Sequence, residues 1–225
     1  STVLLHLARA IYKDIEAVFV DTGLEYNQIR DFVKTFDNVT WVKPKMRFDE
    51  VINKYGYPII SKEQSQYISQ YRLAKSQKTK DTRLCGNKWG RGKISETHKY
   101  LIYAPFLISN KCCDIMKKTP FKIFEKQSGK TPIIGTMAEE SEQRKSNWLA
   151  NGCNAFNAKR PISKPLSFWT ENDVLEYINT YKISYASVYG DIVKDENGKY
   201  KTTKLNRTGC VFCGYGAHLE KSPNR

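Results

Sequence analysis

The sequence predicts an α/β fold in which a mostly parallel sheet is joined by crossover helices. Two observations carry this. Helix and strand patterns alternate at short intervals through residues 1–42, and a strand-then-helix pattern returns at residues 132–150. Val3, Leu4, Leu7, Ala8 and Ile11 recur at helical spacing, so an amphipathic helix begins almost at residue 1, as though the chain were cut inside a domain. Ala17-Val18-Phe19-Val20 reads as a strand that stops at Asp21-Thr22-Gly23. Tyr26, Ile29, Val33 and Phe36 then share one helical face, and Val39-Thr40-Trp41-Val42 reads as the next strand. Pro132-Ile133-Ile134-Gly135 has the look of a buried strand leading into a helix across 139–150. Thr170 with Asp173 three residues on is a capping-box start to another helix. Asn197-Gly198 between polar β-formers predicts a β-hairpin inserted at residues 189–207.

Composition bounds the function. The 225 residues, 40% hydrophobic and 27% charged, suit one globular domain over 1–225 with a sizeable core. With 14 Tyr, 10 Phe and 4 Trp the chain is too aromatic for a disordered one. The longest apolar stretch, Tyr100 to Ile108, is about half a bilayer span and contains Pro105, so no membrane helix is expected. No charged n-region followed by an apolar h-region opens these residues, so secretion is not expected. The net charge of +14 favours an anionic partner, whether nucleotide, nucleic acid or membrane surface. Residues 72–99 concentrate it, with nine Lys or Arg against two acids.

Six cysteines stand at 85, 112, 113, 153, 210 and 213. Cys112 and Cys113 are adjacent, and a disulfide between neighbours is disfavoured by its dihedral and Cα separation. Cys210 and Cys213 form a C-x-x-C flanked by Gly209 and Gly214, whose backbone freedom lets amides point at sulfur. Two dithiol pairs brought together by the fold would offer four thiolates to a zinc ion or an iron–sulfur cluster. The spacing leaves the metal open, and leaves open a redox disulfide at the C-x-x-C. Cys85 and Cys153 read as ordinary buried or part-buried thiols.

Asp21-Thr22-Gly23 ends one strand, where ligands of open α/β sheets bind. A carboxylate there can accept from ribose hydroxyls or hold magnesium, or it can simply cap the next helix. Gly135-Thr136 repeats the arrangement, with Arg144 downstream as a bidentate donor to an anion or as a solvated helix residue.

These residues resemble the phosphoadenosine-phosphosulfate reductase family, within the adenine-nucleotide α-hydrolase-like group that carries a PP-loop. Ser1-Thr2-Val3-Leu4-Leu5 resembles the end of that family's S-G-G-x-D-S loop and the helix start beyond it, with Ser1 as the loop's last serine. Val18 to Gly23 resembles its D-T-G segment. Residues 134–141 with Arg144 resemble its later nucleotide- and sulfate-contacting stretch. Pro165-Leu166-Ser167-Phe168-Trp169-Thr170 with Asp173-Val174 resembles its P-L-x-x-W-T-x-x-D-V. The cysteine pairs resemble the C-C…C-x-x-C of the adenylylsulfate branch. The resemblance implies a doubly wound, mostly parallel sheet with flanking helices and a C-terminal cysteine-bearing segment. It also implies a 4Fe–4S cluster on Cys112, Cys113, Cys210 and Cys213. Two departures stand out: the reductases' E-C-G-x-H tail, whose cysteine attacks the sulfur of the bound sulfonucleotide, does not occur in these residues, and the 189–207 ribbon is not typical of the assimilatory enzymes.

Three functions are compatible with these features. In the first, the chain handles a sulfonucleotide: Ser1 and Thr2 hold phosphate at a helix N-terminus, Asp21, Thr22 and Gly23 orient ribose or Mg, and Lys62, Gly135, Thr136 and Arg144 meet phosphate or sulfate, with a thioredoxin-like electron donor. In the second, ATP activates a nucleic-acid acceptor for sulfur transfer. In the third, zinc or a cluster staples a nucleic-acid-binding module whose basic stretch and nearby Trp89, Tyr71 and Tyr100 track a phosphate backbone. No membrane partner is expected, and the cysteine usage points to a reducing, cytoplasmic setting.

Overall fold

The computed structural model describes residues 1–158, 160–215 and 217. In chain order it runs α1 (Thr2–Ile11), β1 (Ala17–Val20), α2 (Asn27–Lys34), β2 (Val39–Val42), α3 (Phe48–Tyr55), β3 (Ile59–Ile60), α4 (Lys62–Leu73) and α5 (Gln77–Cys85). A 3-10 helix (Glu96–Tyr103) precedes α6 (Lys111–Cys113), a π-turn (Asp114–Lys118) and α7 (Thr119–Ser128). Then come α8 (Glu142–Asn151), α9 (Glu171–Thr180), β4 (Ile192–Lys194), β5 (Tyr200–Thr202) and β6 (Gly214–Tyr215). This is an α/β protein with parallel strands and flanking helices. The described residues form two compact units: those within 1–19, 25–41 and 123–208 make the first, and those within 20–24, 42–122 and 209–217 the second.

The first unit is organised by α1 and α9. The apolar stripe of α1 buries Val3 and packs it with Leu4 and Leu7 against Leu166 and Ile178. Thr170 starts α9 as a capping box: its hydroxyl accepts from Asp173 N–H at 3.2 Å while the Asp173 carboxylate accepts from Thr170 N–H at 2.8 Å. β1 pairs with β2, and within this unit Ala17 N–H donates to Asn38 C=O at 3.0 Å. β4 and β5 form an antiparallel hairpin, Ile192 opposite Thr202. Its turn is held by the Asp195 carboxylate, which accepts from Asn197 and Lys199 N–H at 2.9 Å each.

One segment departs from its expected form. Residues 132–135 make only a parallel bridge, Ile133 to Ser163, instead of a buried strand. Pro132 has no N–H to give the ladder, so it contributes only its carbonyl, to Ser163 N–H at 3.1 Å. The helix read across 139–150 is likewise divided. A 3-10 turn spans Ala138–Glu140, then Ser141 turns extended and caps α8 by accepting from Arg144 N–H at 3.3 Å.

The second unit has two cores. Ile68, Ile94, Leu101, Ile102 and Ile108 form one; Val51, Cys112 and Met116 form the other. β3 runs parallel to β6, pairing Ile59 with Gly214 and Ile60 with Tyr215. The fully buried Ser65 hydroxyl ties α4 to β3, donating to Ile59 C=O at 2.6 Å and accepting from Ile59 N–H at 3.2 Å. Gly56 is required where α3 ends. Its φ is 105°, and a Cβ there would lie 2.4 Å from the Leu107 carbonyl carbon.

Candidate functional site

In the second unit the D-T-G segment follows β1, and Asp21 N–H donates to Val42 C=O at 2.9 Å. Asp21 and Thr22 are buried. The Asp21 carboxylate accepts from Gly23 N–H at 3.1 Å and the Thr22 hydroxyl from Leu24 N–H at 3.3 Å, a local turn that leaves Gly23 at φ 77°. Onto this turn docks the C-x-x-C loop: Val211 N–H donates to Leu24 C=O at 2.8 Å. The loop itself closes through Cys213 N–H to Cys210 C=O at 3.0 Å. Immediately after it, β6 lies so close to β3 that a Cβ on Gly214 would be 2.4 Å from Pro58 O. Gly214 therefore permits strand approach rather than an unusual backbone angle.

The other dithiol belongs to the same unit. Cys112 is buried against Val51 and Met116, Cys113 is half-buried, and their sulfurs are 4.0 Å apart. A π-turn begins directly after them, a backbone form often found at functional sites. The Tyr215 hydroxyl donates to Ser109 C=O at 3.4 Å, linking β6 to the chain just before this pair. The electrostatics join both pairs. The Cys112 thiol is pushed up by its hydrogen bond to Cys113, then by burial, then by the charges of Cys113, Cys210 and Cys213. Tyr215 is pushed up by burial and then by Cys112, Cys113 and Cys213. Cys113 moves the other way, down to about 6, chiefly because Cys112 donates its S–H and then because of Lys62 and Lys117. We read the two as one coupled dithiol, with the proton on the more buried Cys112. Lys62, its ammonium 3.9 Å from Asp114, is pushed down by burial and then by Lys118. It lies two residues after Ile60, a β-branched residue at φ 64°, a rare and strained conformation for that side chain.

The fit of these residues to a metal centre turns on the donor set. Among the described residues no group of three or more His, Cys, Asp or Glu side chains is placed to hold one metal ion. A tetrahedral zinc needs four donors about 2.0–2.3 Å from a single centre. An iron–sulfur cubane takes one thiolate at each iron and so accepts sulfurs set farther apart. The charges of Cys113, Cys210 and Cys213 all reach the Cys112 thiol, and Lys62 and Lys117 offset charge at Cys113, a donor set compatible with one thiolate at each iron of a cluster. Cys85 is exposed at the end of α5, and Cys153 lies in the first unit.

The remaining expected site residues lie in the first unit. Ser1 stands at the N-cap of α1 without a side-chain capping bond, and Thr2 opens the helix. Gly135 packs on Leu4 of the same helix. Thr136 and Arg144 line a cavity of about 290 Å³ together with Met137, Trp148, Lys164 and Ser167. Arg144 is ion-paired with Glu140, and its guanidinium is pushed down by burial and then by the charge of Arg207. Arg144 and Lys164 give this cavity a cationic lining suited to an anion. Sequence reasoning alone does not single out Lys164 or Arg207. The signal is weak: Lys164 directly precedes the P-L-x-x-W-T element, and Arg207 lies three residues before the C-x-x-C.

These features define an α/β chain that carries a carboxylate turn after a β-strand, a cavity lined by Arg144 and Lys164, and two dithiol pairs. The profile of the phosphoadenosine phosphosulfate reductase domain matches residues 36–214, and the chain belongs to that family. It is 24% identical over 184 residues to an adenosine 5′-phosphosulfate reductase of Geobacillus thermodenitrificans, covering 81% of this chain and 60% of that protein. A reductase of the same name from Staphylococcus saprophyticus is 24% identical over 188 residues, 83% of this chain and 60% of its own. An uncharacterised protein of Methanocaldococcus jannaschii is 24% identical over 225 residues, 98% of this chain and 40% of its own. The chain thus spans 40–60% of the length of these relatives. Among the described residues, no helix is long and apolar enough to cross a membrane.

Proposed function

We propose that this chain is the adenine-nucleotide-handling part of a sulfonucleotide reductase, with a 4Fe–4S cluster held by Cys112, Cys113, Cys210 and Cys213. The observation that carries this is the docking of the C-x-x-C loop onto the D-T-G turn through Val211 and Leu24. It gives the sulfur chemistry and a nucleotide-type turn a common backbone frame within one unit. A bound cluster would supply fixed charge that tunes a neighbouring anion through its surroundings.

The protein's own residues then divide the work. Within the first unit, Arg144 and Lys164 offer cations to a phosphate or sulfate group in their cavity. Within the second, Asp21 offers a carboxylate to hydroxyl donors or to magnesium. Lys62 lowers the charge cost of holding thiolates beside it. In the net reaction a sulfonucleotide and a dithiol become AMP, sulfite and a disulfide, so a thioredoxin-like dithiol is the matching electron donor.

Titration calorimetry on anaerobically prepared protein tests this reading. Adenosine 5′-phosphosulfate is expected to bind more tightly than AMP, because only the former brings a sulfate to the cationic groups. Equal affinities, or no binding of either, would contradict it.

A further inference from the structure

The second unit has a basic, aromatic region that the thiols do not use. Residues 72–99, with their nine Lys or Arg, contain a tightly tied loop at 86–93. Asn87 N–H donates to Arg91 C=O at 2.7 Å, and the Asn87 side-chain oxygen accepts from Trp89 N–H at 2.9 Å and Arg91 N–H at 3.0 Å. At its base Arg83 donates to Gly92 C=O at 2.6 Å, and Ile94 N–H to Arg83 C=O at 2.8 Å. This closed backbone nevertheless holds Trp89 70% exposed, with the Lys88 ammonium 4.2 Å from its ring centroid.

The adjoining 3-10 helix repeats the pattern. With three residues per turn, Tyr100 and Tyr103 fall on one edge. They are 67% and 84% exposed, while Leu101 and Ile102 between them are buried. Aromatic rings held out in water near the exposed Lys88, Arg91 and Lys93 match a polyanion that also presents flat apolar groups. Single-stranded nucleic acid is that partner: its phosphates pair with the cations and its open bases stack on rings. A duplex keeps its base faces stacked inside. The geometry points to the 86–93 loop and the Tyr100–Tyr103 edge as a docking surface for single-stranded nucleic acid. This inference rests on neither the cysteines nor the nucleotide cavity.

Fluorescence anisotropy of the full chain with a labelled oligonucleotide of about 15 nucleotides tests it. Oligouridine and oligodeoxythymidine are expected to bind more tightly than the corresponding duplex. Log K should fall with log salt at a slope of about −2 to −3, as for three or four phosphate contacts on a single strand. Trp89→Ala should weaken binding ~10-fold and Trp89→Phe should restore most of it. The double variant K88A/R91A should flatten the salt slope by about 1.4. Y100A/Y103A should weaken binding without changing that slope. Thermal melting of each variant checks that these exposed substitutions leave the fold intact. Absence of binding, or W89A and K88A/R91A behaving as the parent, would overturn the inference. So would Trp89-dependent capture by phosphatidylserine vesicles with no oligonucleotide bound, which would assign the surface to a membrane.

Discussion

The two dithiols of the second unit and the cavity of the first are both built around charge, but in opposite ways. The cysteine region buries Cys112, half-buries Cys113, Cys210 and Cys213, and sets Lys62, Lys117 and Lys118 beside Cys113; the charges of the other three sulfurs push the Cys112 thiol up. The cavity gathers Arg144 and Lys164, with Arg207 near, and no cysteine lines it. One arrangement can hold a redox-active or electrophilic centre. The other gathers cations suited to an anion. On the proposed reading, this difference puts the sulfur chemistry in the second unit and the binding of an anionic group in the first.

The sharpest way to break that division is at a sulfur. Cys210→Ser is expected to abolish iron retention after anaerobic reconstitution, read as loss of visible absorbance and of protein-bound iron. Cys85→Ser and Cys153→Ser should keep both. If all three behave alike, the C-x-x-C does not hold the iron. Next in size is Gly214→Ala. Its Cβ would collide with Pro58 O at 2.4 Å and part β6 from β3, costing about 1–3 kcal/mol, as overpacking does. A melting temperature several degrees lower, together with weakened iron binding, is the expected result.

Arg144→Ala probes the recognition side. Removing a charge-assisted contact of about 1.5–3 kcal/mol should weaken sulfonucleotide binding roughly 10- to 100-fold by calorimetry, while iron content stays unchanged. Loss of iron in this variant would erase the contrast between the units. The smallest effect concerns the first unit's own stability. Glu16 is held below the ordinary carboxylate value by its hydrogen bond from Lys130, then by that from Thr40. A lowered folded-state value contributes stability that is present above the ordinary value and lost as pH falls through the lowered one. Glu16→Gln should therefore lower the melting temperature slightly at neutral pH, and that difference should vanish on acidification.

The elements legible in the sequence are those fixed by local rules. The α1 stripe, the Thr170–Asp173 cap, β1 and β2 all depend on neighbours within a few residues. The illegible part is non-local. β3 and β6 are two residues each and meet across most of the chain, so neither carries a period to read. Gly214 has the look of a turn residue because its real neighbour, Pro58, is remote in sequence. The division into two units leaves no mark in composition, since each unit takes three separate segments. At the site, the cysteines and Arg144 are legible through resemblance, whereas Lys164 and Arg207 depend on which side chains the fold brings near Arg144.

The central claim is that Cys112, Cys113, Cys210 and Cys213 ligate one iron–sulfur cubane. Mössbauer spectroscopy of protein reconstituted anaerobically with ⁵⁷Fe and sulfide tests it most directly. The account predicts the spectrum of a 4Fe–4S centre with about four irons per chain, absent from Cys210→Ser. A colourless protein that takes up a single zinc through the same cysteines would contradict it.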